Sequence, residues 1–544
     1  MVKRRRRQNT PLVAGIALVF LLAGVWYWHR SLPWNRARAA LNRGDSGQAV
    51  EILSVALNQR RWTRDREEVL LTLRAKALFL KGALDLAEGD FRQLHADYPR
   101  NFDAALGLGV INLLRDRRAF ARDYLETALG IAPRDIRPYL LLVGVYRGLG
   151  DSEALAEILR AGWGRFPNDR RLARIQADYD FERGRYDTAL RFYDLLRAAA
   201  PEDRDLLARI ALTHLHAGHH RQAADLLTDL RPENRFDYPL ELALAQVLRI
   251  QGRRADALSS FASLYNRNNA HVEAGLYWAE ALAERGALDE ADALLDRLGL
   301  QILPLTADLF QPPETMELSS VERLSLLRLV ALQQNAGLLV ARGRAATRRG
   351  KYEMAERAFR QALSLETDSF EAIHGMMELA RRKDDNAERL RWADRLVAVY
   401  REHPAALLAR AEVYLDLGRN PDAAVDARLA ANAYPELSRA QALLARAWLL
   451  TGKTEEALHA AERAVALNGG DPAAHFAMAE ALAKAGDARR TEVSYSRALN
   501  LDPFWVTPRV RFARFLTAQG RFSEANQQLT EAARIEGRPI KRDQ

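Results

Sequence analysis

A glycine returns every 34 residues along much of this chain: Gly150, Gly184, Gly218, Gly252 and Gly286, then, after a break, Gly418, Gly452, Gly486 and Gly520. Extending each series backwards lands on Asp116 and Gly82, and on Asp384 and Gly350. Aspartate tolerates the left-handed backbone of a tight turn better than most residues, so Asp116 and Asp384 fit the same role. A fixed period in this range specifies a solenoid, in which each unit is one small supersecondary element that buries its apolar face only against its neighbours. A chain of 544 residues exceeds what a single compact core accommodates. The period makes a repeat array the expected solution.

Two further columns run in step with the turn residue. Seven positions before it stand Ala75, Gly109, Val143, Ala177, Ala211, Ala245 and Ala279, then Gly343, Met377, Ala411, Ala445, Ala479 and Ala513. Five positions after it stand Ala87, Ala121, Leu155, Ala189, Ala223, Ala257 and Ala291, then Ala355, Arg389, Ala423, Ala457, Thr491 and Ala525. Small residues at both places let two antiparallel helices approach closely. Four residues beyond the second column come bulky groups such as Phe91, Tyr193, Phe261, Phe359 and Tyr495, which can plug the gap toward the next unit. Pro99, Pro133, Pro167, Pro201, Pro435 and Pro503 then end the second helix, because proline cannot continue one. Between these markers apolar residues recur with helical spacing, and no stretch alternates as a strand would.

Runs such as Gly184, Tyr186, Ala189, Tyr193 and Pro201, or Gly350, Tyr352, Ala355, Phe359 and Ala362, resemble the tetratricopeptide repeat. The resemblance covers the chain from Ala40 to Ile535, starting with a degenerate unit through Gly44, Ala49, Leu53 and Ala56, and gives about fourteen units. The family's early tryptophan is mostly missing, Arg389 and Thr491 replace the second alanine, and Leu155 overfills one slot. The resemblance implies an all-α, right-handed superhelix whose concave face is built largely from the first helix of each unit and holds other proteins. The register breaks once: Gly286 and Gly350 are 64 residues apart. The intervening Pro304, Pro312 and Pro313 mark a connector.

Lys3 and Arg4 to Arg7 precede an uncharged run from Pro11 to Trp28 that closes on Trp26, Tyr27 and Trp28. Such a run is near the lower length limit for a helix crossing a ~30 Å hydrocarbon core, and aromatics suit the headgroup layer. A cleaved signal peptide is the alternative, but Ala37-Arg38-Ala39 lies too far past the apolar run to serve as its cleavage site. The basic cluster on a short tail places the repeats outside the cytoplasm. The expected organisation is therefore a basic cytoplasmic tail (1–10), a transmembrane helix (11–29), an N-terminal repeat array (40–298), a connector with a leading helix (299–335), a C-terminal array (336–535) and a tail (536–544).

Composition narrows the chemistry. Hydrophobic residues at 48% and charged residues at 28% argue against a disordered chain. The absence of cysteine removes disulfides, thiol nucleophiles and thiolate metal sites. The net charge of +9 is partly the N-terminal cluster, and the rest is mixed in sign, without the basic stripe of a nucleic-acid binder. No phosphate loop, zinc motif or nucleophile motif stands in a suitable context. Neither catalysis, a cofactor, a resident metal, nucleic acid nor a small-molecule substrate is expected. His214, His216, His219 and His220 cluster at one turn, where an exposed polar turn is weighed against a metal site.

The concave positions that the resemblance implies fall on Arg344, Arg348, Arg381, Arg382, Arg439, Arg446 and Arg514, beside Glu378, Glu412 and Glu480. Arginines there can hold a peptide carboxylate bidentately; the alternative is pairing with those same glutamates. Concave positions of the first array are more apolar, at Phe79, Leu106, Leu113 and Leu140, which fits either a hydrophobic partner segment or closer packing. These features describe a membrane-anchored scaffold for protein–protein interactions that assembles an envelope, surface or polysaccharide-export complex. A cytoplasm-facing adaptor presenting a client to a membrane protease or synthase stays open, as does an accessory subunit of a glycosyltransferase system.

Overall fold

The computed structural model describes residues 32–59, 62–229, 237–268, 271–308 and 335–536. Among the described residues every regular element is a helix, and the helices come in pairs, from Pro33–Asn42 with Ser46–Asn58 to Val506–Ala518 with Phe522–Glu536. No helix among them is long and apolar enough to cross a membrane. The expected tail 1–10, the span 11–29 and residues 537–544 lie outside the described residues.

Each pair is closed by one residue with positive φ. These are Gly44, Gly82, Gly150, Gly184, Gly218, Gly252, Gly286, Gly350, Gly418, Gly452, Gly486 and Gly520, with Asp116 at 56° and Asp384 at 58°. The next residue then donates its N–H to a carbonyl in the last turn of the preceding helix, as Asp151 does to Tyr146 and Arg521 to Leu516. That bond satisfies a carbonyl the helix end would otherwise leave open and reverses the chain. The second helices end at Asp97, Ile131, Arg165, Ala199, Ala433 and Leu501, each shortly before its proline.

The two small columns are where paired helices touch. Ala177, Ala211, Ala245, Ala411 and Ala479 are fully buried, as are Ala87, Ala121, Ala189, Ala355 and Ala423. A Cβ on Gly109 would come within 2.6 Å of Leu125, and one on Gly343 within 2.6 Å of Phe359. The irregular positions are accommodated individually. Thr491 is buried with its hydroxyl donating to Asp487 O at 2.7 Å. Arg389 is buried and pairs with Asp416 at 2.8 Å.

The expected connector begins at Gly299, but helix Leu288–Asp308 runs through Gly299 and Pro304. A Cβ on Gly299 would meet only the flexible end of the Arg342 side chain, at 2.8 Å. Residues 309–334, most of the expected connector, lie outside the described residues.

The chain divides into two compact units, the first running to Ile158 and the second comprising Leu159–Leu305 and the residues after Ala331. Within the second unit the chain returns on itself. Gly218 faces Glu436, Gly252 faces Gly470 and Gly286 faces Phe504, an offset of 218 residues each time. Tyr434 Oη donates to Gly184 O at 2.6 Å and accepts from the Tyr186 N–H at 2.9 Å. Arg254 pairs with Asp502 at 2.9 Å, and Arg183 donates to the Val399 carbonyl. The turn inside one unit therefore rests on the loop between two units a winding later.

This contact gives some turn glycines a second duty. A Cβ would lie 2.5 Å from Glu436 O at Gly218 and 2.6 Å from Gly470 O at Gly252, whereas nothing lies within 4 Å of one at Gly350, Gly418, Gly452 or Gly486. Gly452→Ala should lose only the left-handed backbone preference, about 1–2 kcal/mol. Gly252→Ala should lose a further 1–3 kcal/mol or so by overpacking against backbone that cannot step aside. Parallel denaturant titrations of the two variants test this, and equal losses would refute the close approach.

Candidate partner-binding groove

First helices of successive units pack on one another, as Arg204–Ala217 does on Tyr238–Ile250 and Ser438–Leu450 on Pro472–Ala485, while the extensive contacts of second helices are all with first helices. Helices that touch on one side and splay on the other curve the array, and the concave side belongs to the first helices.

A charged column runs along this side of the second unit. Six residues before each turn residue stand Glu280, Arg344, Glu378, Glu412, Arg446, Glu480 and Arg514. Glu280 accepts from Arg344 and faces Arg249 at 3.4 Å. Glu378 pairs with Arg381 at 2.8 Å and faces Arg382 at 3.5 Å. Glu412 pairs with Arg439 at 2.7 Å. Glu480 pairs with Arg446 at 2.9 Å and faces Arg511 at 3.7 Å. Arg446 also lies over the Phe476 ring, 4.6 Å from its centroid. Arg348 is exposed on the same helix, 335–348, as Arg344.

Of the seven arginines expected to face a partner, Arg344, Arg381, Arg382, Arg439 and Arg446 are therefore engaged by carboxylates of the protein itself. Glu280, Arg249 and Arg511 belong to the same network without having been singled out from sequence. Carrying the register of Arg344 back across the break would have found Glu280. In the first unit Phe79 and Leu106 are buried and Leu113 and Leu140 half-buried, so closer packing accounts for the first two.

The network sets the protonation states along the wall. Burial alone would raise the Glu378 carboxyl, but Arg381 and then Arg382 hold it at about 2. Burial likewise opposes ionisation of Glu280 and Glu412, and Arg344 and Arg439 respectively bring both below the usual carboxylate range. Burial, assisted by the Arg344 charge, lowers His374.

The histidine cluster is not a uniformly exposed turn. His214 and His219 face each other with Nδ1 atoms 3.3 Å apart. His216 packs edge-on against Phe181 at 5.4 Å and beside Tyr186 at 5.9 Å. The expected exposure fails for all four, which are half-buried, and at Gly218 the turn is covered by Glu436 and Leu437 of the later winding. Among the described residues no group of three or more His, Asp or Glu side chains is placed to hold a metal ion.

Comparison with known proteins matches this architecture. The family model for the tetratricopeptide repeat matches residues 336–369, the unit that carries Arg344 and Gly350. A crystal structure of the APC/C hetero-tetramer Cut9-Hcn1 aligns with a TM-score of 0.56 at 12% identity, covering 95% of this chain and 96% of that one. The chain is thus an all-helical repeat solenoid, one unit of which matches the tetratricopeptide-repeat model. PilF of Pseudomonas aeruginosa aligns over 38% of this chain and 93% of its own, at 17% identity and a TM-score of 0.28. In sequence, the chain is 27% identical over 449 residues to cellulose synthase operon protein C of Xanthomonas axonopodis pv. citri (strain 306), a match that takes in 82% of this chain. It spans about a quarter of that relative's length, 26%.

Two predictions follow from the groove and its surroundings. Arg446 is 9% exposed, and Arg446→Ala would leave Glu480 only the longer contact to Arg511 at 3.7 Å, so a loss toward the lower end of about 3–5 kcal/mol is expected. The Arg439 side chain is 54% exposed, and Arg439→Ala should cost no more than about 1 kcal/mol. Thermal and denaturant melts distinguish the two, and equal losses would refute this division. The second concerns acid. Burial, then Arg249, holds His216 at about 4, and burial, then His216, holds His403 at about 3. Both are depressed from 6.5, so the unfolded chain takes up protons first. The stability contributed by the neutral rings is complete above that value and is lost as pH falls through about 4 and about 3. His403→Asn, which preserves the cap His403 places on Ala405 N, should flatten the decline of stability with acid; an unchanged slope would refute it.

Proposed function

We propose that this chain is a non-catalytic scaffold accessory to a membrane polysaccharide synthase, gathering other proteins into an envelope complex that exports the polymer. The observation carrying this reading is the match to cellulose synthase operon protein C across 82% of the chain. The concave wall of first helices supports it, since it offers a long, polar surface on which many of the charges are already paired. Such a wall selects partners by arrangement of charge more than by net attraction. In this reading residues 11–29 anchor the chain in the cytoplasmic membrane with the repeats outside the cytoplasm. Tethering would raise the effective concentration of weakly held partners. A cytoplasm-facing adaptor differs first in the side of the membrane on which the repeats lie.

The test is loss of the chain from a cell that makes the polymer. Polymer outside the cell should disappear while isolated membranes still incorporate sugar nucleotide. Loss of incorporation together with sugar-nucleotide turnover by the purified chain would refute a scaffold. A reporter active only outside the cytoplasm, fused after Gln544, should be active; an inactive one would reverse the orientation.

A further inference from the structure

One contact on the concave wall obeys neither register of the solenoid. Neighbouring units are joined by pairs such as Arg439–Glu412 and Arg446–Glu480, and successive windings by pairs such as Arg254–Asp502. Glu536, the last residue of helix Phe522–Glu536, meets Arg381 and Arg382, about 155 residues away. Its Oε1 lies 3.4 Å from Arg381 Nη1 and its Oε2 3.2 Å from Arg382 Nη1. The Glu536 side chain is only 5% exposed, so the two guanidiniums and their surroundings enclose it.

The occupant is a poor one on physical grounds. A carboxylate in the last turn of a helix faces the negative end of the backbone dipoles, which disfavours it there. Both contacts are longer than the ~2.7–2.9 Å of a well-formed charge-assisted bond. Arg381 gives its better bonds to Glu378, at 2.8 and 2.9 Å. Arg382 Nε is buried without a hydrogen-bond partner, its closest carboxylate being Glu378 at 3.5 Å. The site therefore holds a carboxylate and keeps a donor in reserve.

We propose that Arg381 and Arg382 form a carboxylate-binding site that Glu536 fills in cis, making the last helix an internal competitor displaced by an acidic segment of a partner protein. This rests on the concave wall being the partner surface. A run of Asp or Glu side chains fits the chemistry: one carboxylate replaces Glu536 and collects the Arg382 Nε–H, and its neighbours extend along the wall toward Arg348. Binding weakens with salt, because the attraction is ionic.

The test uses the full chain and a fluorescein-labelled oligoglutamate peptide. Glu536→Gln keeps the shape and removes the charge. If the cis contact is closed in about nine-tenths of molecules, the variant binds the peptide about tenfold more tightly than the parent. Adding Arg381→Gln and Arg382→Gln to that variant abolishes binding, with the melting transition showing that the chain is folded. Amide exchange in Phe522–Glu536 accelerates in Glu536→Gln and in the parent saturated with peptide. Equal affinity in parent and Glu536→Gln, no binding to either, binding that survives loss of both arginines, or unaltered exchange overturns the proposal. Capture of purified synthase subunits by the same proteins separates it from the scaffold reading. Capture by the parent with a negative peptide result overturns the cis site alone; a positive peptide result with no capture in any variant supports the site and overturns the scaffold.

Discussion

Every unit of this protein depends on a single residue held in the left-handed region of backbone space, with φ between 56° and 92°. The conformation ends one helix, lets the following N–H satisfy a carbonyl in its last turn, and sends the chain back along its own path. Once the reversal is fixed, the small residue seven positions before it and the one five positions after it are brought opposite each other. Their size then sets how closely the helices lie. A residue unable to enter that region would displace both columns at once, so periodicity, helix pairing and burial share one cause. Glycine has no steric objection to the conformation. Asp116 and Asp384, the two non-glycine residues found there among the described ones, are of a type that accepts it at lower cost than most.

The second unit adds a constraint that acts at longer range. Where one winding meets the next, backbone approaches backbone, and the turn glycine must leave space as well as bend. Gly218 and Gly252 do both, whereas Gly418 and Gly452 only bend. Several polar atoms in this contact are matched: Tyr434 both donates to Gly184 O and accepts from Tyr186 N, and Asn468 reaches Ile250 O at 3.4 Å. Rings fill the remaining volume, with Tyr186 5.2 Å from Tyr434 and 5.9 Å from His216. A neutral histidine suits such a place, and a charged one does not.

The elements that sequence foretold are those governed by neighbours within one unit: turn residues, small columns, plugging aromatics such as Tyr193 and Phe359, and the prolines behind six of the second helices. All are local consequences of helix geometry, and so they leave a local pattern. The winding-to-winding contacts have no such pattern, because the residue facing Gly252 is decided by the pitch accumulated over the units between. The same reason explains His216: its exposure looked settled by the polar turn around it, but Glu436 and Leu437 cover that turn. Gly299 shows the reverse case, a helix breaker by type that lies inside helix Leu288–Asp308. Along the groove the arginines were legible as a set, and Glu378, Glu412 and Glu480 were legible as their alternative partners. Which alternative held depended on distances that spacing does not supply.

Those distances change what the concave wall can do. Had Arg344, Arg381, Arg439 and Arg446 stood free, the wall would attract any acidic chain and discriminate poorly. With Glu280, Glu378, Glu412 and Glu480 interleaved, the long-range field is reduced and each of these four guanidiniums has a resting partner. An incoming carboxylate then gains only the difference between two ion pairs, which is small where the resting pair is short and larger where it is poorly made. Arg446, enclosed and stacked on Phe476, has little to gain from exchange. Arg381 and Arg382 differ, because their second carboxylate comes from the far end of the array and sits at longer distance. Selectivity along such a wall comes from uneven satisfaction of like groups, so the sites open to exchange are the few where the protein's own pairing is incomplete.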